Sequence, residues 1–293
     1  LMTFCYDKQD HFFYDRDRLD RFVRIQSDIL IRVLACEVGD DAMFEDALRR
    51  YLLNTRKFFA RYPVTTIAMD EPGFSPSIEY NSWAGQVSFL TQIRLPHAFE
   101  YHHRYVELTW ILHPILSALS RLKKFSGGIS AWMGCEGYSD NYTPTMLCVL
   151  DYLERMCGIF PTPSRELWFT ALIPRGMDHG EVVAEETGYS RIVDGVRFEL
   201  INGRESSSVF KDGKPLAVFP DGIRLVTDRS GSLRAVIGMT VRTVEGNILW
   251  QGRAVPFRVS GNERLEYTGE GFVSVENPGI VPPNYGEYDP VAL

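Results

Sequence analysis

The chain lacks every short motif that announces nucleotide chemistry or a ready-made nucleophile. It has no phosphate loop, no GxGxxG, no GxSxG and no HExxH, which removes the usual support for nucleotide-dependent enzymes, serine hydrolases and zincins. It has no run of 18 apolar residues, so no transmembrane helix is predicted. Cysteine is sparse: five, at positions 5, 36, 135, 148 and 157, with no CxxC pair. An odd set without regular spacing argues against a disulfide framework or a zinc site and predicts mostly reduced core thiols in a cytoplasmic protein. Positive charge is also short. With 31 Lys and Arg against 38 Asp and Glu the net charge is −7, and Arg121-Leu122-Lys123-Lys124 is the one local basic stretch. Nucleic acid is therefore not an expected partner. The opening residues, Leu1 to Asp7, lack the basic and apolar regions of a signal peptide. Structured-looking sequence has already begun by Phe12-Phe13-Tyr14, an expectation of further sequence upstream and, with it, of any address signal.

What is present is ordinary globular composition, 45% hydrophobic and 24% charged, with aromatics raised to 13% over 293 residues. That length suits one large domain or two average ones. Two grammars divide it near residue 178. Up to that point helical spacing predominates: Val106, Trp110, Leu112, Ile115, Leu116 and Leu119 mark a helix over 103–122. Phe44, Ala47, Leu48, Tyr51 and Leu52 mark another over 41–59, with Asp40-Asp41 as its N-cap. Further helices are predicted at 26–37, 85–95, 143–157 and 165–172, separated by long aromatic loops at 61–82 and 126–142. From about 181 to 276 short β-rich runs alternate with Asp194-Gly195, Asn202-Gly203, Asp212-Gly213 and Asp221-Gly222, dipeptides that close tight antiparallel turns. The expected architecture is multidomain: a helical portion over 1–178, then an antiparallel β-sandwich over 179–293 whose tail from Asn277 runs along a surface.

Chemistry concentrates in the long loops. Asp70-Glu71-Pro72-Gly73-Phe74 precedes Asn81-Ser82-Trp83-Ala84-Gly85-Gln86, and Trp132-Met133-Gly134-Cys135-Glu136-Gly137-Tyr138-Ser139-Asp140 follows. Indole and phenol rings cover the apolar face of a sugar while carboxylates and amides bond its hydroxyls. The same composition also suits core tryptophans and loop-capping acids. Glycoside hydrolysis needs two carboxyl groups, a proton donor and a base or nucleophile. Glu136, between two glycines, is the base candidate; Asp140, Asp70 and Glu71 are lesser ones. Asp7, Asp10, Asp15, Asp17 and Asp20 mostly read as a solvated face. His102 and His103 diverge by about 100° on a helix and do not converge on one metal.

The order Tyr6-Asp7-Lys8-Gln9-Asp10-His11-Phe12-Phe13-Tyr14-Asp15, Asn81 to Val87, the Glu136 loop and Leu167-Trp168-Phe169-Thr170-Ala171-Leu172 resembles the later part of the six-hairpin (α/α)6-barrel glycosidases. The closest likeness is to the branch of mannosylglycerate hydrolase and the processing α-glucosidases, and it covers about residues 6–173. The resemblance implies a partial (α/α)6 toroid and an inverting glycoside hydrolase needing no cofactor or metal. Glu136 matches the general base, and Trp83, Gln86 and Tyr138 match substrate-lining positions, with Trp132 beside them. It also implies a general acid, an aspartate upstream of the first motif, supplied by a preceding segment or a second chain. Two departures stand out: Ser139-Asp140 replaces the family's Pro-containing sequence after the glutamate, and a predicted helix at 143–157 separates the Glu136 loop from Trp168. Two other functions are compatible with the same residues. One is a carbohydrate-binding or assembly protein without turnover. The other is a lyase or epimerase of uronic sugars drawing on Arg94, His97, Tyr101 and His102.

Overall fold

The computed structural model describes residues 1–77, 83–137, 143–172 and 184–285. Among them are a few helices and two large antiparallel sheets. The chain forms two compact units, the first from residues 1–102, 114–148 and 281 onward, the second from 103–113 and 149–280.

The first unit opens with paired two-residue strands, β1 (Tyr6–Asp7) with β2 (Phe12–Phe13) and β3 (Asp15–Arg16) with β4 (Phe22–Val23). Helix α1 (Ile29–Leu34) buries Leu30, Ile31, Val33 and Leu34. Helix α2 (Asp41–Ala47) begins where expected, with the Asp40 carboxylate accepting from the Met43 N–H at 2.9 Å. It ends sooner than expected, running into a π-helical turn over Leu48–Leu52. The predicted 85–95 helix is a strand followed by a short helix: β5 (Val87–Ser88) precedes α3 (Phe89–Gln92), then α4 (Leu95–Tyr101). Helix α5 (Tyr105–Leu119) matches its prediction closely, and β6 (Gly128–Ile129) follows and pairs with β5. The 143–157 prediction resolves into a 3-10 turn, Thr143–Leu147, and α6 (Cys148–Cys157). The tail returns to the first unit: the Asn284 carbonyl accepts from the Thr55 N–H at 2.9 Å.

The second unit is built on strands β7 (Ile159–Pro161), β8 (Glu166–Thr170), β9 (Thr187–Val193), β10 (Val196–Asn202), β11 (Ser206–Lys211), β12 (Lys214–Pro220), β13 (Ile223–Asp228), β14 (Leu233–Gly238), β15 (Val244–Trp250), β16 (Arg253–Val259), β17 (Arg264–Tyr267) and β18 (Phe272–Glu276). One sheet runs β16-β15-β12-β11-β10-β9 and the other β18-β17-β14-β13-β8-β7. In β10 every second residue, Phe198, Leu200 and Asn202, points inward, the period-2 pattern of a strand with one wet face. Asp194 and Gly195 both take positive φ, 51° and 82°, the geometry that joins β9 to β10 through a two-residue turn. Both sheets contribute to one core, where the Phe169 and Phe198 rings lie 5.8 Å apart.

The predicted helix over 165–172 is instead β8. Leu167 to Thr170 are buried on both faces and pair with Thr227 to Arg224 of β13. A short apolar run has no period that separates helix from central strand, and the cross-strand partners decided it. Trp168 belongs to this sheet: its indole N–H donates to Glu166 and its ring carries the buried Arg224 guanidinium at 4.1 Å. The cysteines correct a second expectation. All five are free, but only Cys148 and Cys157 are buried, and Cys36 is exposed.

Candidate functional site

The two loops singled out in the sequence are brought together by β5 and β6. Val87 pairs with Ile129 and Ser88 with Gly128, and Ile129 bridges onward to Glu136. This approach requires glycine at 128, because a Cβ there would collide with the Val87 carbonyl oxygen. Gly137 donates its N–H to the Gly128 carbonyl at 2.9 Å. Its missing Cβ makes room for Gln86, whose Oε1 lies 2.5 Å from where that atom would be. Gln86 and the Glu136 segment are thus neighbours.

Glu136 Oε1 accepts from the Lys123 N–H at 2.8 Å. That backbone bond leads the causes holding its carboxyl below the ordinary range, so the group is a carboxylate under ordinary conditions. Trp132 is exposed and meets Phe74 edge-on, with ring centroids 6.2 Å apart. The loop beneath it turns at Gly134, φ +65°, packed against the Tyr62 ring. Asp70 and Glu71 gather around Lys57 and Gln26. Lys57 Nζ is 2.7 Å from Asp70 Oδ2, and the Gln26 N–H donates to Glu71 at 2.8 Å. Tyr138 and Asp140 lie outside the described residues.

Trp83 lines a cavity of about 360 Å³ in the first unit, with Asp15, Ile25, Asp28, Arg32 and Thr66 among its walls. The indole is 37% exposed, and the Arg32 guanidinium stands 5.1 Å from its centroid. Asp28, by contrast, is 6% exposed and accepts a hydrogen bond from the Thr91 hydroxyl. Burial pushes its carboxyl above the ordinary range, against the lowering effects of Thr91, Arg32 and Arg94. Glu136, Gln86, Trp132, Asp70 and Glu71 are not among the described lining residues.

Asp28 and Arg32 were missed in the sequence because an Asp before a helix reads as a cap and an Arg within one as a solvated residue. Of the acidic stretch, Asp15 and Asp20 are exposed as expected, while Asp7 and Asp10 depart from the reading. Asp7 is buried and paired with Arg24 at 2.6 Å, Asp10 accepts from Arg24 and from the Tyr14 hydroxyl, and Asp15 faces the cavity. The two histidines considered for uronic-sugar chemistry are engaged elsewhere, whereas Arg94 is among the groups that act on Asp28. His97 pairs with Glu37 at 3.1 Å, and His102 is buried on Phe44 and bonded to Asp41 at 2.7 Å. Among the described residues no three His, Cys, Asp or Glu side chains gather as a metal site, and no helix is long and apolar enough to cross a membrane.

No protein-family model matches the sequence, and no curated protein does. In three dimensions the chain is similar to the GH63 mannosylglycerate hydrolase of Thermus thermophilus. Against its complex with Tris and D-glycerate, identity is 14%, with 50% of this chain and 34% of that chain covered and a TM-score of 0.43. Against its complex with glucose the identity is 13%, the coverage 50% and 36%, and the TM-score 0.43. A sialidase structure is similar at 15% identity and a TM-score of 0.53, covering 76% of this chain and 22% of that one. The chain spans about a third of the mannosylglycerate hydrolase's length and about a fifth of the sialidase's.

Proposed function

We propose that this chain is a glycoside hydrolase, or the part of one that carries its base, cleaving a glycosidic bond with inversion. The observation that carries the reading is the cavity beside Trp83: a half-exposed indole next to buried and open carboxyl groups, in a volume within the usual range for small-molecule sites. In this reading the first unit holds the sugar as part of an (α/α)6 toroid, and the two sheets of the second unit, β7 and β8 included, form a β-sandwich. Trp83, Trp132 and Tyr138 hold the ring, and Gln86, Asp70, Glu71 and Asp140 serve its hydroxyls. Glu136, an ionised carboxylate, deprotonates the water that attacks the anomeric carbon.

The test is fluoride release from α- and β-glycosyl fluorides of glucose, mannose and galactose, with NMR recording the anomer formed. Fluoride departs with little help from an acid, so the base is tested directly. Glu136→Gln keeps an oxygen for the Lys123 N–H and is expected to fold normally while losing about 10²-fold or more in rate. Retained configuration, or an unchanged mutant, would sink the assignment. The second reading, a carbohydrate binder, is favoured by the engagement of Glu136 with the main chain at Lys123; it predicts that the fluorides bind without release.

Trp83 and Trp132 make separable contributions. A sugar face covering about 60 Å² of indole contributes about 1.5 kcal/mol, so Trp83→Ala is expected to weaken binding about 10-fold. Calorimetry with the sugar whose fluoride binds should find a smaller effect for Trp132→Ala. An equal or larger effect at Trp132 would move the site away from the Trp83 cavity.

A further inference from the structure

We propose that the outer face of strands β9, β10 and β11 is a second sugar-binding site, taking a neutral pyranose against Phe210 where Gly188 leaves the sheet without a side chain. The site lies wholly within the second unit and does not depend on the hydrolase reading.

Gly188 is a glycine that the fold itself does not require. It sits inside β9, opposite Ile201 of β10, with no bulge in the pairing. Its φ is not positive, so a residue with a side chain fits its backbone equally well. No described atom lies within 4 Å of where its Cβ would stand. Gly128 and Gly137 are the contrast, since main chain fills the space beside each of them. Glycine within a strand weakens it, and its structural uses there are a bulge, a bend or the close approach of another backbone. With those uses missing, the remaining physical reason is room for a ligand.

That room is a cavity of about 460 Å³, larger than the one beside Trp83 and within the usual range for small-molecule sites. Alternate residues of a strand share a face, so Gly188 and Ser190 of β9 lie on the same side as Glu199 and Ile201 of β10. The register then sets Ser190, Glu199 and Phe210 side by side across three strands. Phe210 and the half-exposed Ile201 supply an apolar wall, and Ser190 and Glu199 supply oxygens. Arg197 ties those oxygens together: its Nε stands 3.6 Å from Glu199 Oε1 and donates to Ser190 Oγ at 3.4 Å.

A pyranose has an apolar C–H face and a rim of hydroxyls, which matches an aromatic ring beside a carboxylate and a hydroxyl. Among the described lining residues Glu199 carries the one charge. It accepts from sugar hydroxyls and repels a sugar carboxylate, so the expected ligand is a neutral pyranose rather than a uronic acid.

The experiment is an amide NMR titration of the isotope-labelled full chain with the methyl glycosides of glucose, mannose and galactose. A local readout is needed because the Trp83 cavity also takes a sugar in the hydrolase reading. At least one glycoside is expected to shift the amides of β9, β10 and β11, and its uronic-acid counterpart to leave them in place. Gly188→Val puts a strand-favouring side chain into the open space and is expected to abolish these shifts while keeping the thermal midpoint of wild type. Phe210→Ala is expected to weaken binding about 10-fold. No shift in the three strands with any glycoside would overturn the proposal, as would shifts that survive Gly188→Val or equal binding of the uronic acid. A Gly188→Val protein melting well below wild type would make the glycine structural and overturn it too. Shifts confined to the first unit would end this proposal and leave the hydrolase reading standing, whereas shifts here without any fluoride release would do the reverse.

Discussion

Gly128→Ala is expected to abolish sugar binding in the first unit and to lower the urea midpoint of the protein, although it adds only one methyl group. The new Cβ meets the main-chain oxygen of Val87, so no side-chain rotation relieves it and β5 must move away from β6. Overpacking usually costs about 1–3 kcal/mol when neighbours can yield. Here the neighbour is backbone, and at least about 3 kcal/mol is expected. The functional loss follows from the same displacement, because this pairing sets Gln86 against Gly137 and fixes the strand that bridges to Glu136. Gly137→Ala should also cost stability, since a Cβ there meets both the buried Gln86 amide, at 2.5 Å, and the Gly128 carbonyl oxygen, at 2.9 Å. Gly73→Ala has nothing within 4 Å and is the neutral control. The measurement is urea unfolding followed by tryptophan fluorescence, with sugar titration of each variant. A Gly128→Ala protein as stable as Gly73→Ala would show that the two loops are not held by this contact.

Asn262→Asp is expected to destabilise the second unit strongly at neutral pH and much less in acid. Asn262 is fully buried and adopts φ +66°, a backbone that Asn tolerates better than most residues. Its Oδ1 accepts from the Val106 N–H at 2.8 Å. Its Nδ2 donates at 2.7 Å both to Glu107 Oε2 and to the Gly279 carbonyl. Aspartate keeps the shape but replaces that donor with an acceptor, facing a buried glutamate whose Arg104 partner stands 3.7 Å away. A second buried carboxylate without its own cation costs about 3–5 kcal/mol. The sign with pH follows from the same contact. Like charge and burial raise the carboxyls' folded pKa values, so stability is retained at low pH, where a proton sits between them, and is lost as pH rises. Denaturant midpoints at about pH 4.5 and 7.5 should differ far more for the variant than for wild type. Equal losses at both would assign the cost to geometry rather than charge.

Several of these features were legible in the residues alone. The Asp-Gly turns, the alternation in β10 and the Asp40 cap are each settled within a few neighbours along the chain, because φ tolerance and side-chain period are local properties. Glycines at 134 and 137 flank Glu136 in the sequence, but only the structure shows what they admit: the Tyr62 ring and Gln86. The segment Leu167 to Thr170 was misread because its partner in β13 lies more than 50 positions away. Asp7 and Asp10 of the acidic stretch were misread for the same kind of reason, since Arg24 and Tyr14 take them up only once the chain has folded back.

By itself the sequence determined the composition of the protein's two halves, its tight turns, and the aromatic and acidic loops that suggest sugar chemistry. Tertiary structure decided how readily each carboxyl group ionises. An aspartate is the same residue wherever it stands, but Asp28 holds its proton to higher pH because burial strips water from it, and Thr91, Arg32 and Arg94 offset that only in part. Glu136 gives up its proton more readily because the Lys123 main chain donates to it in the open. Desolvation and hydrogen-bond donors come from residues distant in sequence, and no local pattern records them.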